Sequence, residues 1–133
     1  KSGKEKIVFI QDKPNNLKPI YKNFDVIVAP NVLEELTCPI LLLKNIHERL
    51  NSNGLLVLTS TYDWELNSIK REHWPGGFKK DGEPVTSFEG IKNILCEHFE
   101  LIKTPFDLLK ISKHSSRTIV TKKCELSFWR LKK

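Results

Sequence analysis

Phe24 to Tyr62, FDVIVAPNVLEELTCPILLLKNIHERLNSNGLLVLTSTY, decides the fold. Phe24 to Ala29 is an uninterrupted apolar, β-branched run with one Asp near its start, the pattern of a strand covered on both faces. Pro30 ends it. From Pro39 to Leu50, the residues Ile40, Leu43, Ile46, His47 and Leu50 recur at spacings of three and four, with Lys44, Glu48 and Arg49 on the other side. That spacing predicts an amphipathic crossover helix. Asn53 and Gly54 close it with residues that tolerate a left-handed backbone, and Leu55 to Thr59 repeats the buried-strand pattern. In a right-handed βαβ unit, ligands sit outside the carboxyl ends of the strands. Those ends are Ala29 to Val32 and Thr59 to Tyr62, which places Asn31 at the mouth of a parallel sheet.

Outside this unit the chain runs on without a long linker or an internal repeat. Ile7 to Gln11 reads as a short strand that puts Asp12 at a carboxyl end, and Asp12 to Tyr21, with Pro14, Asn15, Asn16 and Pro19, reads as a turn-rich connection. One or two helical turns are expected between Tyr62 and Trp74, then a loop over the sheet from Pro75 to Pro84. Ser87 is the expected N-cap of a helix through Ile91, Ile94, Leu95 and His98. Phe99 to Lys103 and Leu126 to Leu131 are expected as an antiparallel pair at the sheet edge. Between them, Ser112, Ser115, Ser116 and nearby Lys and Arg residues point to exposure.

Composition narrows the function classes. The 133 residues make one domain or less, and 22 Lys plus Arg against 16 Asp plus Glu give a net charge of +6. Basic residues alternate with acidic ones, are mostly lysine, and are not interleaved with aromatics, which argues against a nucleic-acid module. The cysteines Cys38, Cys96 and Cys124 are odd in number and widely spaced, so neither a disulfide framework nor a zinc site is indicated, and a reducing cytoplasm is the default. No apolar run approaches the roughly 18 residues of a membrane span. No H-x-E, H-x-x-x-H or carboxylate triplet marks a metal site.

Tyr62, Trp64, Trp74 and Phe78 gather just past the carboxyl end of the second strand, beside the Gly76-Gly77 turn. Aromatic faces hold a heteroaromatic ring well, and a loop of glycines can approach a ligand closely. They are read as a substrate pocket centred on Tyr62 and Trp74; ordinary core packing is the competing reading. His73 adjoins the set and could take a proton or bond a substrate carboxylate, whereas His47 and His98 fall on helix faces as packing or surface residues. Glu34 and Glu35 open a helical turn where carboxylates favour the positive dipole end, a stabilising role and not a general base.

The strand FDVIVAPNVLEEL, the helix and NGLLVLTS resemble motifs IV to VI of class I S-adenosylmethionine-dependent methyltransferases. The following run, TSTYDWELNSIKREHWPGGFKKDGEPVTSFEGIKNILCEHFELI, with Pro105-Phe106 and Phe128 to Arg130, resembles the C-terminal methyltransferase domain of ovothiol-biosynthesis enzymes of the OvoA type. W-x-G-G…D-G-E-P is the most specific piece, and the resemblance covers nearly the whole chain from Ile7. It implies an α/β, Rossmann-like half-domain, a mostly parallel sheet with an antiparallel edge hairpin, and methyl transfer from S-adenosylmethionine to a nitrogen of a thiol-bearing histidine.

It also implies roles for individual residues. Asp12 matches the acid that in this class bonds the adenine amino group, with Gln11 as a companion; capping a turn is its alternative role. Asn31 would bond the methionyl carboxylate or a substrate heteroatom, and could also cap Val32 to Leu36. The substrate residues are Tyr62, Trp64, His73 and Trp74. None of the six glycines opens a helix in G-x-G spacing. The chain therefore reads as the second half of such a domain, excised or degenerate, with a missing N-terminal half as partner. Between Pro105 and Phe128 the pattern departs, since DLLKISKHSSRTIVTKK replaces the family's I-R-E-like and R-K-aromatic-Q stretches.

Overall fold

The computed structural model, which describes residues 7–132, forms the predicted unit. Its parts are β1 (Phe24–Pro30), α1 (Pro39–Asn45) and β2 (Leu50–Ser60), with β1 parallel to β2 from Val26↔Leu55 to Pro30↔Thr59. The helix is shorter than predicted. Ile46–Arg49 tightens into a 3-10 helix, and Leu50 is already strand, pairing with Phe24. Asn53 does take a left-handed backbone, φ 64°, but inside β2. Between Leu50 and Leu55 that strand advances while β1 moves only from Phe24 to Val26, so Asn53-Gly54 lies in a bulge and not at a helix terminus.

The sheet is mixed, which corrects the mostly parallel arrangement. Its order is β1-β2-β7-β5, where β7 is Thr118–Leu131 and β5 is Phe99–Leu101, and β6 (Phe106–Ser115) also pairs with β7. β7 runs antiparallel to β2, β5 and β6. Parallel neighbours need a crossover of a dozen or more residues, whereas Ser116-Arg117 suffices to turn β6 back as β7. The expected pair Phe99↔Leu131 forms, but β7 sits between β2 and β5, so of these two strands β5 alone is at an edge. Residues 107–123 supply the distal part of a long, exposed hairpin. Because Ser60 pairs with Glu125, that hairpin continues past the carboxyl end of β2.

One face of the sheet carries the core. Ala29, Leu56, Leu58 and Trp129 are buried there with Leu33, Leu42, Leu43 and Ile46 beneath, and Ile91, Leu95 and Phe99 close it from α2 (Ser87–Leu95) and β5. Each such side chain taken fully out of water contributes roughly 1.5–3 kcal/mol. Trp129 also donates its indole N–H to Ser127 Oγ at 2.9 Å, so the buried ring leaves no orphan donor. The opposite face is open among the described residues: Val26 is 52% and Val28 59% exposed, beside half-buried Leu55, Val57 and Phe128. The two-sided burial expected from the unbroken apolar run of β1 is therefore not supplied by residues 7–132.

Local capping differs by one residue from expectation. Thr86, not Ser87, caps α2, accepting from the Glu89 N–H at 3.1 Å, and Ser87 is the first helical residue. The helix ends at Leu95, so His98 lies beyond it, stacked on His47 with ring centroids 3.7 Å apart. The Pro75 to Pro84 loop contains a small hairpin, β3 (Phe78–Lys80) and β4 (Glu83–Val85), turned by Asp81 (φ 53°) and Gly82 (φ 82°). Asp-Gly with both residues at positive φ is the favoured two-residue turn. Gly90 lets the Pro75 carbonyl touch α2: a Cβ there would stand 1.8 Å from Pro75 O, and one on Gly76 would stand 2.2 Å from Thr86 O.

Candidate functional site

Both predicted elbows meet at the carboxyl ends of β1 and β2. Asn31 adopts φ 52° and donates its backbone N–H to Thr59, at 2.8 Å to the carbonyl and 3.1 Å to Oγ1. It does not cap the turn that follows: that turn is a 3-10 helix, Leu33–Glu35, preceded by Val32 with no side-chain cap. Its Oδ1 is buried and finds no hydrogen-bond partner among the described residues. A buried acceptor without a donor is costly, and this one belongs to a residue at the carboxyl end of β1.

Glu34 is 4% exposed and does more than favour a dipole. Its carboxylate accepts from Ser60 Oγ at 2.7 Å, and from the Thr61 N–H and Thr61 Oγ1, each at 3.1 Å. Ser60 Oγ in turn accepts from the Tyr62 N–H at 3.1 Å. This network pins the end of β2 to the turn after β1 and holds Tyr62 at φ 60°, a backbone that a bulky residue takes only when its surroundings impose it. The Tyr62 hydroxyl donates to Glu125 Oε1 at 2.6 Å. Burial, followed by the Glu125 bond and charge, pushes the phenol far above its ordinary range, so it remains a donor.

Two clefts flank this mouth. One, of about 420 Å³, is lined by Tyr62, Asp63, Trp64, Glu65, Leu66, Trp74, Gly77 and Ser87, so it gathers three of the four predicted aromatics; Phe78 lines a different surface. Trp64 is 2% exposed and belongs to the core, its indole N–H donating to Ser87 Oγ at 2.9 Å. Trp74 is half-buried and donates to Ile69 O at 2.8 Å, with the Arg71 guanidinium 5.5 Å from its ring centroid. His73 faces the second cleft, about 430 Å³, with Glu34, Glu35, Thr37 and Lys70 on its lining. Its Nδ1 lies 3.0 Å from Thr37 O, and its Nε2 is 3.9 Å from Glu72.

Gln11 and Asp12 lie elsewhere. Ile7 to Gln11 forms no strand, so Asp12 is not at a strand end, a second correction. Its carboxylate accepts from the Lys13 N–H at 2.9 Å and the Lys18 N–H at 3.1 Å, and these bonds, that from Lys18 foremost, hold its pKa below the ordinary value. The Lys18 carbonyl is bound by Arg49, together with those of Leu17 and Tyr21, which fastens this loop beside the amino end of β2. Ser60 and Glu125 are not singled out by the sequence, and Glu34 is read there only as stabilising a helical turn. The facing of Ser60 by Glu125 follows only from the β2–β7 register.

Among the described residues no cluster of three His, Cys, Asp or Glu could hold a metal, and no helix is long and apolar enough to cross a membrane. No protein-family model matches the chain. No curated protein matches it. Solved structures do. The N-methyltransferase NodS from Bradyrhizobium japonicum WM9, in complex with S-adenosyl-L-homocysteine, matches 92% of this chain and 53% of its own, with TM-score 0.55 and 18% identity. A SAM-dependent methyltransferase from Methanosarcina mazei matches 90% and 64%, with TM-score 0.50 and 16% identity. A protein solved for the conversion of a disulfide bond into a thioacetal group during echinomycin biosynthesis matches 91% and 54%, with TM-score 0.60 and 10% identity. The chain spans about half the length of the first two of the three, by TM-score. At these identities the likeness is one of fold: a mixed α/β sheet of the kind found in S-adenosylmethionine-dependent methyltransferases.

Proposed function

We propose that this chain forms the acceptor-side half of an S-adenosylmethionine-dependent N-methyltransferase acting on a thiol-bearing histidine, completed by a preceding half-domain that carries the glycine-rich loop. The observation that carries the reading is Asn31, held at positive φ at the mouth of the parallel pair with a buried oxygen left for a ligand. That oxygen fits an N–H donor such as the cofactor's ammonium group, and the amide nitrogen of the same side chain fits its carboxylate. S-adenosylmethionine would supply an electrophilic methyl group. Tyr62 and Trp74 would align the acceptor ring, and His73 with Lys70 would hold its carboxylate from the neighbouring cleft. A neutral imidazole needs little deprotonation, so alignment supplies most of the rate.

A complementary half is supported by what β1 leaves open: its outer edge, at the end of the sheet order, and its exposed Val26 and Val28. Ile7 to Ile10 is equally unpartnered, Phe9 being 92% exposed. Pairing that run as a strand on the added half would bring Gln11 and Asp12 to the adenine. The same open edge also favours a second reading, a non-catalytic module that binds a partner through β1. The test is to express the chain fused to the coding sequence that precedes Lys1 and measure S-adenosylhomocysteine binding and labelled methyl transfer to the thiol-histidine. Transfer lost tenfold in Asn31→Ala supports the enzyme. Tight partner capture with no cofactor binding supports the module and overturns it.

A further inference from the structure

The cleft beside Tyr62 has an electrostatic character opposite to that of the chain. The protein carries 22 Lys plus Arg and a net charge of +6, yet none of the residues lining this cleft is basic, and two, Asp63 and Glu65, are carboxylates. The Asp63 carboxylate makes no hydrogen bond among the described residues; its backbone carbonyl takes the Asn67 N–H and Nδ2 instead. The aromatic walls offer no donors either. Tyr62 O–H is given to Glu125, Trp64 Nε1–H to Ser87 and Trp74 Nε1–H to Ile69. Ring surface, the two carboxylates and the single hydroxyl of Ser87 are what remain, a combination that attracts cations and gives an anion no positive charge to pair with. The Trp74 ring already engages one cation, the Arg71 guanidinium.

We propose that this cleft is a binding site for a small organic cation, an ammonium or alkylated ammonium group held between Tyr62 and Trp74 and neutralised by Asp63 and Glu65. Its volume of about 420 Å³ admits a group of that size with room for the rest of a small metabolite. As a statement about the methyl acceptor it rests on the methyltransferase reading, and narrows the acceptor to molecules that carry a positively charged nitrogen beside the reacting one. As a statement about the cleft it stands without the cofactor.

The test uses the 133-residue chain and a matched pair of probes, choline and its neutral isostere 3,3-dimethyl-1-butanol, followed by the three indole N–H resonances. Choline should shift the Trp74 signal saturably in the millimolar range, leave Trp129 unmoved, and bind at least fivefold more tightly than the neutral alcohol. The double variant Asp63→Asn, Glu65→Gln removes charge at solvent-accessible positions without removing volume, and should cost choline tenfold while leaving the alcohol unchanged. Equal affinity for both probes, a double variant that binds choline as the wild type does, or no Trp74 shift at 100-fold the protein concentration in 50 mM choline would each overturn the proposal. S-adenosylhomocysteine titrated separately distinguishes this outcome from failure of the methyltransferase reading.

Discussion

Glu34 is where the structure makes its largest energetic demand at the mouth, and its removal is the sharpest test of the geometry. In Glu34→Ala three donors lose their acceptor: Ser60 Oγ, Thr61 N–H and Thr61 Oγ1. A hydrogen bond to a charged group contributes about 1.5–3 kcal/mol, and an orphaned buried donor costs about 1–3 kcal/mol. The two hydroxyls can rotate toward water or a carbonyl, so most of their contribution is recovered. The Thr61 N–H cannot. Some of the loss is offset because a carboxylate no longer has to be desolvated. The net expectation is about 3 kcal/mol, a large share of the roughly 5–15 kcal/mol that hold a domain together, and a fall in Tm of about 10 °C for a chain of this size. Glu35→Ala, one residue on and exposed, should change stability by less than about 0.5 kcal/mol. Denaturant melts of both variants decide the matter. If Glu34→Ala falls within 0.5 kcal/mol of Glu35→Ala, the carboxylate is hydrated in solution, and the pinned mouth, including the strained Tyr62 backbone, is not the structure's resting geometry.

Other perturbations are as specific. Gly90→Ala should destabilise by about 3 kcal/mol or block folding, because its Cβ meets the Pro75 backbone at 1.8 Å, and a melt beside Gly82→Ser, where nothing lies within 4 Å and only the positive φ matters, separates contact from conformation. The 133-residue chain should bind S-adenosylmethionine no more tightly than about millimolar, near 4 kcal/mol, for lack of a glycine cradle, and calorimetry showing micromolar binding would contradict that. Asp12 has a pKa held below 3.8 in the fold, so its contribution to stability is present above that pH and is lost as acid titrates it through the lower folded value; Asp12→Asn should remove that acid-limb dependence, lowering the neutral-pH melt by the same small contribution and converging with the wild type in acid. Trp74→Ala, in a polypeptide that carries both halves, should lower turnover tenfold or more, about 1.4 kcal/mol, and cost less stability than the roughly 3–5 kcal/mol of a core Trp truncation.

Much of the fold was readable because each element announced itself in its own period. The apolar runs at Phe24 and Leu55 and the three-four spacing from Pro39 gave strand, helix and strand in the right order. The resulting mouth placed Asn31 and Tyr62 correctly. What failed to show was whatever depends on register. The short Ser116-Arg117 turn fixes only the antiparallel pairing of β6 with β7; that β7 also lies antiparallel beside β2 depends on contacts distant in sequence, and nothing in the local pattern of Leu126 to Leu131 distinguishes a central strand from an edge one. Glu125 was invisible for the same reason: it reaches Tyr62 across 63 residues of sequence. The Asp81-Gly82 turn, by contrast, was written in the dipeptide and absorbed into a loop by the surrounding glycines and prolines.

The strand that sequence predicted and the structure lacks is the more instructive miss. Ile7 to Ile10 has the apolar, β-branched composition of a strand, and β1 the unbroken apolar run of a two-sided one, yet the first is unpaired and the second is open on one face. Local propensity is correct in both places, but a strand is stabilised by its neighbours and not by itself. β1 also lies at the end of the order β1-β2-β7-β5, where no described residue supplies a further neighbour. The one-sided core explains how the chain can fold without that neighbour, since Trp129, Leu56, Phe99 and Leu95 already bury one full face. The cleft beside Tyr62, by contrast, is built entirely from residues of this chain, so what it binds is a property that the 133 residues can express without a neighbour on β1.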